Sequence, residues 1–119
     1  MIRAAVLALA LAGGPAAAQQ AATDAPGVVL RGLDKINGLV FDIELPVGQT
    51  ASFGDLRISL SSCRYPVGNP SGDAFAALEI RDELRGEEVF SGWMIASTPA
   101  LSSMDHARYD IWVMRCTTS

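Results

Sequence analysis

The sequence predicts an all-β domain, a small antiparallel β-sandwich of about seven strands. Three observations carry this. Short runs alternate apolar and polar residues with a period of two from residue 28 onward. Turn signals punctuate them at short intervals: Asn37-Gly38, Pro46-Val47-Gly48, Gly54-Asp55 and Arg85-Gly86. No stretch of ten residues holds a helical period. A partly open barrel is the alternative, since strand pattern alone does not separate the two.

The chain has 119 residues and a formal net charge of −4. It opens with Met1-Ile2-Arg3, an apolar run Ala4–Ala12, a Gly13-Gly14-Pro15 break and Ala16-Ala17-Ala18. This is the pattern of a secretory signal peptide cleaved near Ala18, with an apolar core too short to span a bilayer. The expected product is periplasmic, with no membrane span after cleavage. Loss of Arg3 makes it more acidic still, which argues against nucleic acid or anionic lipid as partner. The remaining length of about 100 residues suits one domain with one modest core. The expected layout is signal peptide 1–18, flexible arm 19–27 and a single β domain 28–119.

The elements follow in order. Gln19–Gly27 is polar and Ala-rich and reads as a disordered arm. Val28–Leu30 is a first short strand, and Asn37-Gly38 a hairpin signal. In Leu39–Leu45 the residues Leu39, Phe41, Ile43 and Leu45 alternate with Val40, Asp42 and Glu44, as in a strand with one wet face. Thr50–Phe53 is a short strand. Leu56, Ile58 and Leu60 then alternate with Arg57, Ser59 and Ser61. Strict alternation puts Cys63 on the polar face, so an inward Cys63 requires a bulge near Ser61-Ser62. Tyr65–Gly72 holds two prolines and two glycines and reads as a loop. Ala74–Ile80 is a strand, and Leu84–Glu87 turns the chain back. Val89–Ile95 is apolar on both faces, as in a strand buried on both sides. In Tyr109–Cys116, Tyr109, Ile111 and Val113 share one face, and Trp112, Met114 and Cys116 the other.

Two cysteines in an exported chain predict a disulfide, Cys63–Cys116. It closes a loop of about 50 residues, and the chain-entropy estimate of its stabilisation is roughly 4 kcal/mol. The spacing fits neither a redox Cys-x-x-Cys motif nor a zinc site, so no metal and no cofactor is expected.

The segment Ser97–Ala107 is longer than a hairpin needs and is the candidate binding loop. Leu101 and Met104 are its expected anchors, and Asp105 and His106 hold its shape by hydrogen bonds. Loss of the His106 bond is then worth about 1 kcal/mol. Arg108 and Tyr109 form the rim that meets a partner. A catalytic reading makes His106 a general base oriented by Asp105 or Asp110, as in a small hydrolase. Nucleophile and orienter are not identifiable, no Gly-x-Ser-x-Gly elbow is present, and the expectation is a non-enzyme. Trp93 and Trp112 are either core residues or an aromatic surface for carbohydrate or peptidoglycan. Asp82-Glu83 and Glu87-Glu88 read as solvated hairpin ends.

Gly92-Trp93-Met94, Ser97-x-Pro99-Ala100-Leu101, Asp105-His106-x-x-Tyr109-Asp110-x-Trp112-Val113 and Cys116 form a longer pattern. With Cys63-Arg64-Tyr65-Pro66 and Ala74-Phe75-Ala76, it resembles domain of unknown function 2155, a family of small exported bacterial proteins. The resemblance runs from about Leu30 to Cys116 and departs at Ala107, where the family often has proline, which stiffens the chain. It implies an envelope location and carries over no activity. The function expected is a non-catalytic interaction or accessory domain of a cell-envelope complex, with an unknown envelope protein as partner.

Overall fold

A computed structural model describes residues 21–118. The expected signal peptide, Gln19 and Gln20 lie outside the described residues. Eight strands and one 3-10 turn make up the fold: β1 (Ala22–Asp24), β2 (Gly27–Asp34), β3 (Val40–Pro46), β4 (Thr50–Phe53), β5 (Leu56–Pro66), β6 (Phe75–Asp82), β7 (Glu87–Ile95), the turn Pro99–Ser102, and β8 (Tyr109–Cys116). Seven of these are the expected strands. β1 is a correction: Ala22–Asp24 of the expected flexible arm pairs antiparallel with Arg64–Pro66. That pairing also carries β5 through Tyr65 and Pro66, where the prolines and glycines had suggested a loop. The Arg64 guanidinium holds Asp24 at 2.9 Å, and Ala25 is buried behind them.

The strands form two antiparallel sheets. β5 pairs with β6 on one side and with β1 and β4 on the other, and β7 pairs with β6; β3, β2 and β8 form the smaller sheet. Neither closes into a barrel. Their inner faces meet in one core of Val28, Leu30, Leu45, Leu56, Ile58, Leu60, Leu78, Ile80, Met94, Tyr109, Ile111 and Val113. These are the inward partners of the period-two runs, and burying them is the main source of stability. Gly32 completes the fit: a Cβ there would be driven into the Phe53 ring, which packs against the β2 backbone at this position.

Bulges decide which way the cysteines face. Leu60 pairs with Leu78 but Ser62 with Ala77, so Ser61 is an extra residue and Cys63 turns inward, as the alternation required. A second bulge was not legible. Leu30 pairs with Val113 but Val29 with Arg115, leaving Met114 extra and moving Cys116 from the Trp112 face to the inner face. Cys63 and Cys116 then form the disulfide, with Cα atoms 5.8 Å apart, and it ties β5 of one sheet to β8 of the other.

β7 departs from expectation. It pairs only with β6, so it is an edge strand, and Met94 is its one buried residue. Trp93 is 47% exposed on the outer face. Double-sided apolarity marked an edge with an uncovered face, not a strand enclosed on both sides.

Candidate functional site

Two hairpin turns of the same design converge on the segment after the 3-10 turn. One is Asp34-Lys35-Ile36-Asn37-Gly38, between β2 and β3; the other is Asp82-Glu83-Leu84-Arg85-Gly86, between β6 and β7. In each, the glycine N–H donates to the aspartate carbonyl at 2.8 Å. In each, the aspartate Oδ1 accepts the N–H two residues on, from Ile36 at 3.0 Å and Leu84 at 2.9 Å. Gly38 and Gly86 take φ of 77° and 67°, a left-handed conformation that favours glycine. The aspartate side chain therefore builds the turn, as a short carboxylate does when it caps nearby backbone N–H groups.

Each aspartate has further acceptor capacity, and the segment 106–108 uses it. The Asp82 Oδ2 lies 2.8 Å from His106 Nε2. Arg108 Nη2 and Nε donate to Asp34 Oδ2 at 2.8 and 3.1 Å. His106 Nδ1 accepts the backbone N–H groups of Arg108 and Tyr109 at 3.0 and 3.1 Å. That leaves the ring proton on Nε2, donated to Asp82. Lys35 closes the cluster, its Nζ donating to the His106 carbonyl at 2.6 Å and its N–H to the Arg108 carbonyl at 2.7 Å. One turn from each sheet is thus clamped to the start of β8.

Both carboxylates are buried, Asp82 at 2% exposure and Asp34 at 6%. The His106 hydrogen bond, helped by the Arg85 and Leu84 N–H groups, holds the Asp82 carboxyl below the usual aspartate range against the opposing effect of burial. The Arg108 guanidinium does the same for Asp34, with the Ile36 N–H assisting. A depressed folded-state pKa stabilises above the unfolded value and loses that contribution as pH falls through the folded one. Stability is therefore expected to hold from neutral pH down to about pH 4, the ordinary aspartate value, and to fall below it. Thermal unfolding across pH checks this, and Asp34→Asn is expected to flatten the acid limb.

The same end of the sandwich leaves apolar surface uncovered. On β3 the alternation correctly separates the apolar face, but only Leu45 is buried and Ile43 half-buried; Leu39 and Phe41 are 51% and 54% exposed. They line a cleft of about 350 Å³ with Ile43, Phe53, Tyr109, Asp34 and Arg108. Phe41 meets Phe53 edge-on at 6.1 Å, and Phe53 packs on Tyr109 at 5.6 Å. At the two turn tips, Ile36 and Leu84 are 73% and 75% exposed. A second hollow, lined by Leu84, Arg57, Glu83 and Asp55, shares Ser52 and Gly54 with the cleft, so the two adjoin.

The expected binding loop is brought together only in part. Met104 is buried and anchors the loop, whereas Leu101, the other expected anchor, is 77% exposed on the 3-10 turn. The loop start is pinned instead by Asp73, which accepts the Ser97 N–H at 3.0 Å and hydroxyl at 2.7 Å. Asp105 is exposed, and Asp82 takes the place expected for it beside His106. Arg108 is half-buried on Asp34, its Cζ 5.1 Å from the Tyr109 ring centroid. Tyr109, expected at the rim, is a buried core residue whose ring forms the cleft floor. Trp93 and Trp112 do not form one platform. Trp93 lies on the outer face of the larger sheet, and Trp112 borders a separate groove beside the 3-10 turn. Asp34, Asp82, Ile36 and Leu84 went unrecognised as site residues. The repeated Asp-x-x-x-Gly spacing was the available signal.

Among the described residues, no group of three or more histidine, cysteine, aspartate or glutamate side chains could hold a metal ion. No described helix is long and apolar enough to cross a membrane. The chain is similar to an uncharacterised protein of Rickettsia prowazekii (strain Madrid E), at 29% identity over 87 residues. The match covers 71% of this chain and 56% of that protein, so the chain spans little more than half of that relative's length. No solved structure matches it. The family described as "Uncharacterized protein conserved in bacteria (DUF2155)" matches residues 28–116, which take in β3 to β8 and all of β2 but Gly27, and the chain belongs to that family.

Proposed function

We propose that the chain is an exported, non-catalytic protein-binding module of the bacterial envelope, and that it docks its partner through the twin-turn end of the sandwich. The observation that carries this reading is the exposed apolar set Ile36, Leu39, Phe41 and Leu84 on a hydrogen-bonded scaffold. Exposed contiguous apolar surface on a folded domain marks an interaction site. Rigid turns present it without the ordering cost that a mobile loop incurs on binding. Its border carries both signs, with Arg57 paired to Glu83 at 3.3 Å and Asp55 beside them, so the partner surface is apolar with a mixed polar border. His106 supports the non-catalytic half: both ring nitrogens are engaged, so no lone pair faces a substrate.

The interface test is Phe41→Glu combined with Ile36→Glu. Both side chains are mostly exposed, so the variant is expected to keep its melting temperature and lose partner recovery from the envelope at least about tenfold. Recovery equal to wild type would refute the docking end.

Export rests on the leader pattern and on the disulfide, which forms and persists in an oxidising compartment. Mass spectrometry of the protein from its native cell is expected to find an N-terminus near Gln19. An intact Met1 would contradict it.

A further inference from the structure

We propose that the outer face of the larger sheet is a carbohydrate-binding site built on Trp93, taking a neutral hexopyranose chain. It is separate from the docking end and does not depend on it. Strand register aligns Thr50, Ser59, Glu79 and Ser91 in one row across β4, β5, β6 and β7. The neighbouring row is Ser62, Ala77 and Trp93, with the bulged Ser61 beside it. Strands lie about 4.8 Å apart, so the first row extends about 14 Å, room for a short oligosaccharide.

The outer face of a sheet ordinarily carries long solvated side chains. Here the lining is mostly short, with Thr50, Ser59, Ser61, Ala77 and Ser91 around Glu79 and Gln49 at the rim, and the result is a shallow trough of about 620 Å³ with the indole standing at one side. Trp93 is 47% exposed and takes no part in the core.

The chemistry of the lining selects the ligand. An indole face stacks on the C–H face of a pyranose ring. Hydroxyls both donate and accept, which suits a ligand whose groups are themselves hydroxyls. Thr50 and Ser59 already share a hydrogen bond of 2.8 Å, which fixes their positions. The exposed Glu79 carboxylate, in the centre of the row, accepts from sugar hydroxyls and disfavours phosphate or uronate groups. An apolar peptide finds one anchor here and no second.

Tryptophan fluorescence and calorimetry on the disulfide-bonded protein, with chitohexaose, cellohexaose and maltohexaose as probes, test the site. At least one is expected to bind saturably and perturb tryptophan emission. Trp93→Ala is expected to weaken that binding at least about tenfold with an unchanged melting temperature. Glu79→Gln weakens it less, and Trp112→Phe leaves it intact. Binding of chitohexaose alone assigns neutral N-acetylated glycans; binding of the glucose polymers assigns unsubstituted hexoses. Should Trp93→Ala disturb folding, Ser91→Arg fills the trough from a surface position and is expected to abolish binding. No binding by any of the three probes, binding that survives both Trp93→Ala and Ser91→Arg, or binding lost in Trp112→Phe overturns the proposal.

Discussion

Removing the disulfide with Cys63→Ser and Cys116→Ser is expected to cost about 4 kcal/mol of stability. The 53-residue separation puts the crosslink in the range where loop-closure entropy of the unfolded chain is large. For a domain of this size, that corresponds to a melting temperature lower by roughly 15–30 °C. The two single substitutions are expected to behave alike, because each breaks the one bond joining β5 to β8. Both sulfurs sit in the core behind bulges at Ser61 and Met114, so wild type should need unfolding before a mild reductant acts. Two thiols that titrate freely in the folded, air-exposed protein would contradict the covalent framework.

His106→Ala is expected to be the most damaging single change at the docking end. It deprives the buried Asp82 carboxylate of its side-chain donor and two backbone N–H groups of their acceptor. It also removes a ring that packs 5.3 Å from Tyr109. A buried polar group left without its partner costs more than an exchanged hydrogen bond. A fall in melting temperature of roughly 10 °C or more follows, above the 1 kcal/mol expected of a loop contact. Combining His106→Ala with Asp82→Ala separates a specific pair from general damage. The double variant should be much more stable than the summed single effects imply, whereas additive losses would show that the two residues do not act together.

Period-two alternation made β3, β5, β6 and β8 legible, because an inward side chain every second residue is a local property, while β2, β4 and β7 were read as short runs between turn signals. Cys63 was legible for the same reason: alternation that placed it wrongly demanded the Ser61 bulge. Cys116 was not, since Met114 is itself apolar and its displacement leaves no break in the pattern. β1 was not legible, because three residues paired to an edge need no hydrophobic period. At the site, alternation shows which side of β3 is apolar but not how far the opposite sheet reaches, so Leu39 and Phe41 read as core. Asp82 read as a solvated hairpin end because its burial depends on His106, 24 residues away.

The central claim is that partner binding uses the twin-turn end. Site-specific photocrosslinking in the native envelope tests it most directly, with the photoreactive residue placed in turn at positions 36, 41 and 84 and, on the outer face of β5, at position 61. The account predicts one discrete protein adduct from positions 36, 41 and 84, none from 61, and loss of the Ile36-site adduct when Phe41→Glu is added. Adducts from position 61 alone, or from none of the four, would contradict it.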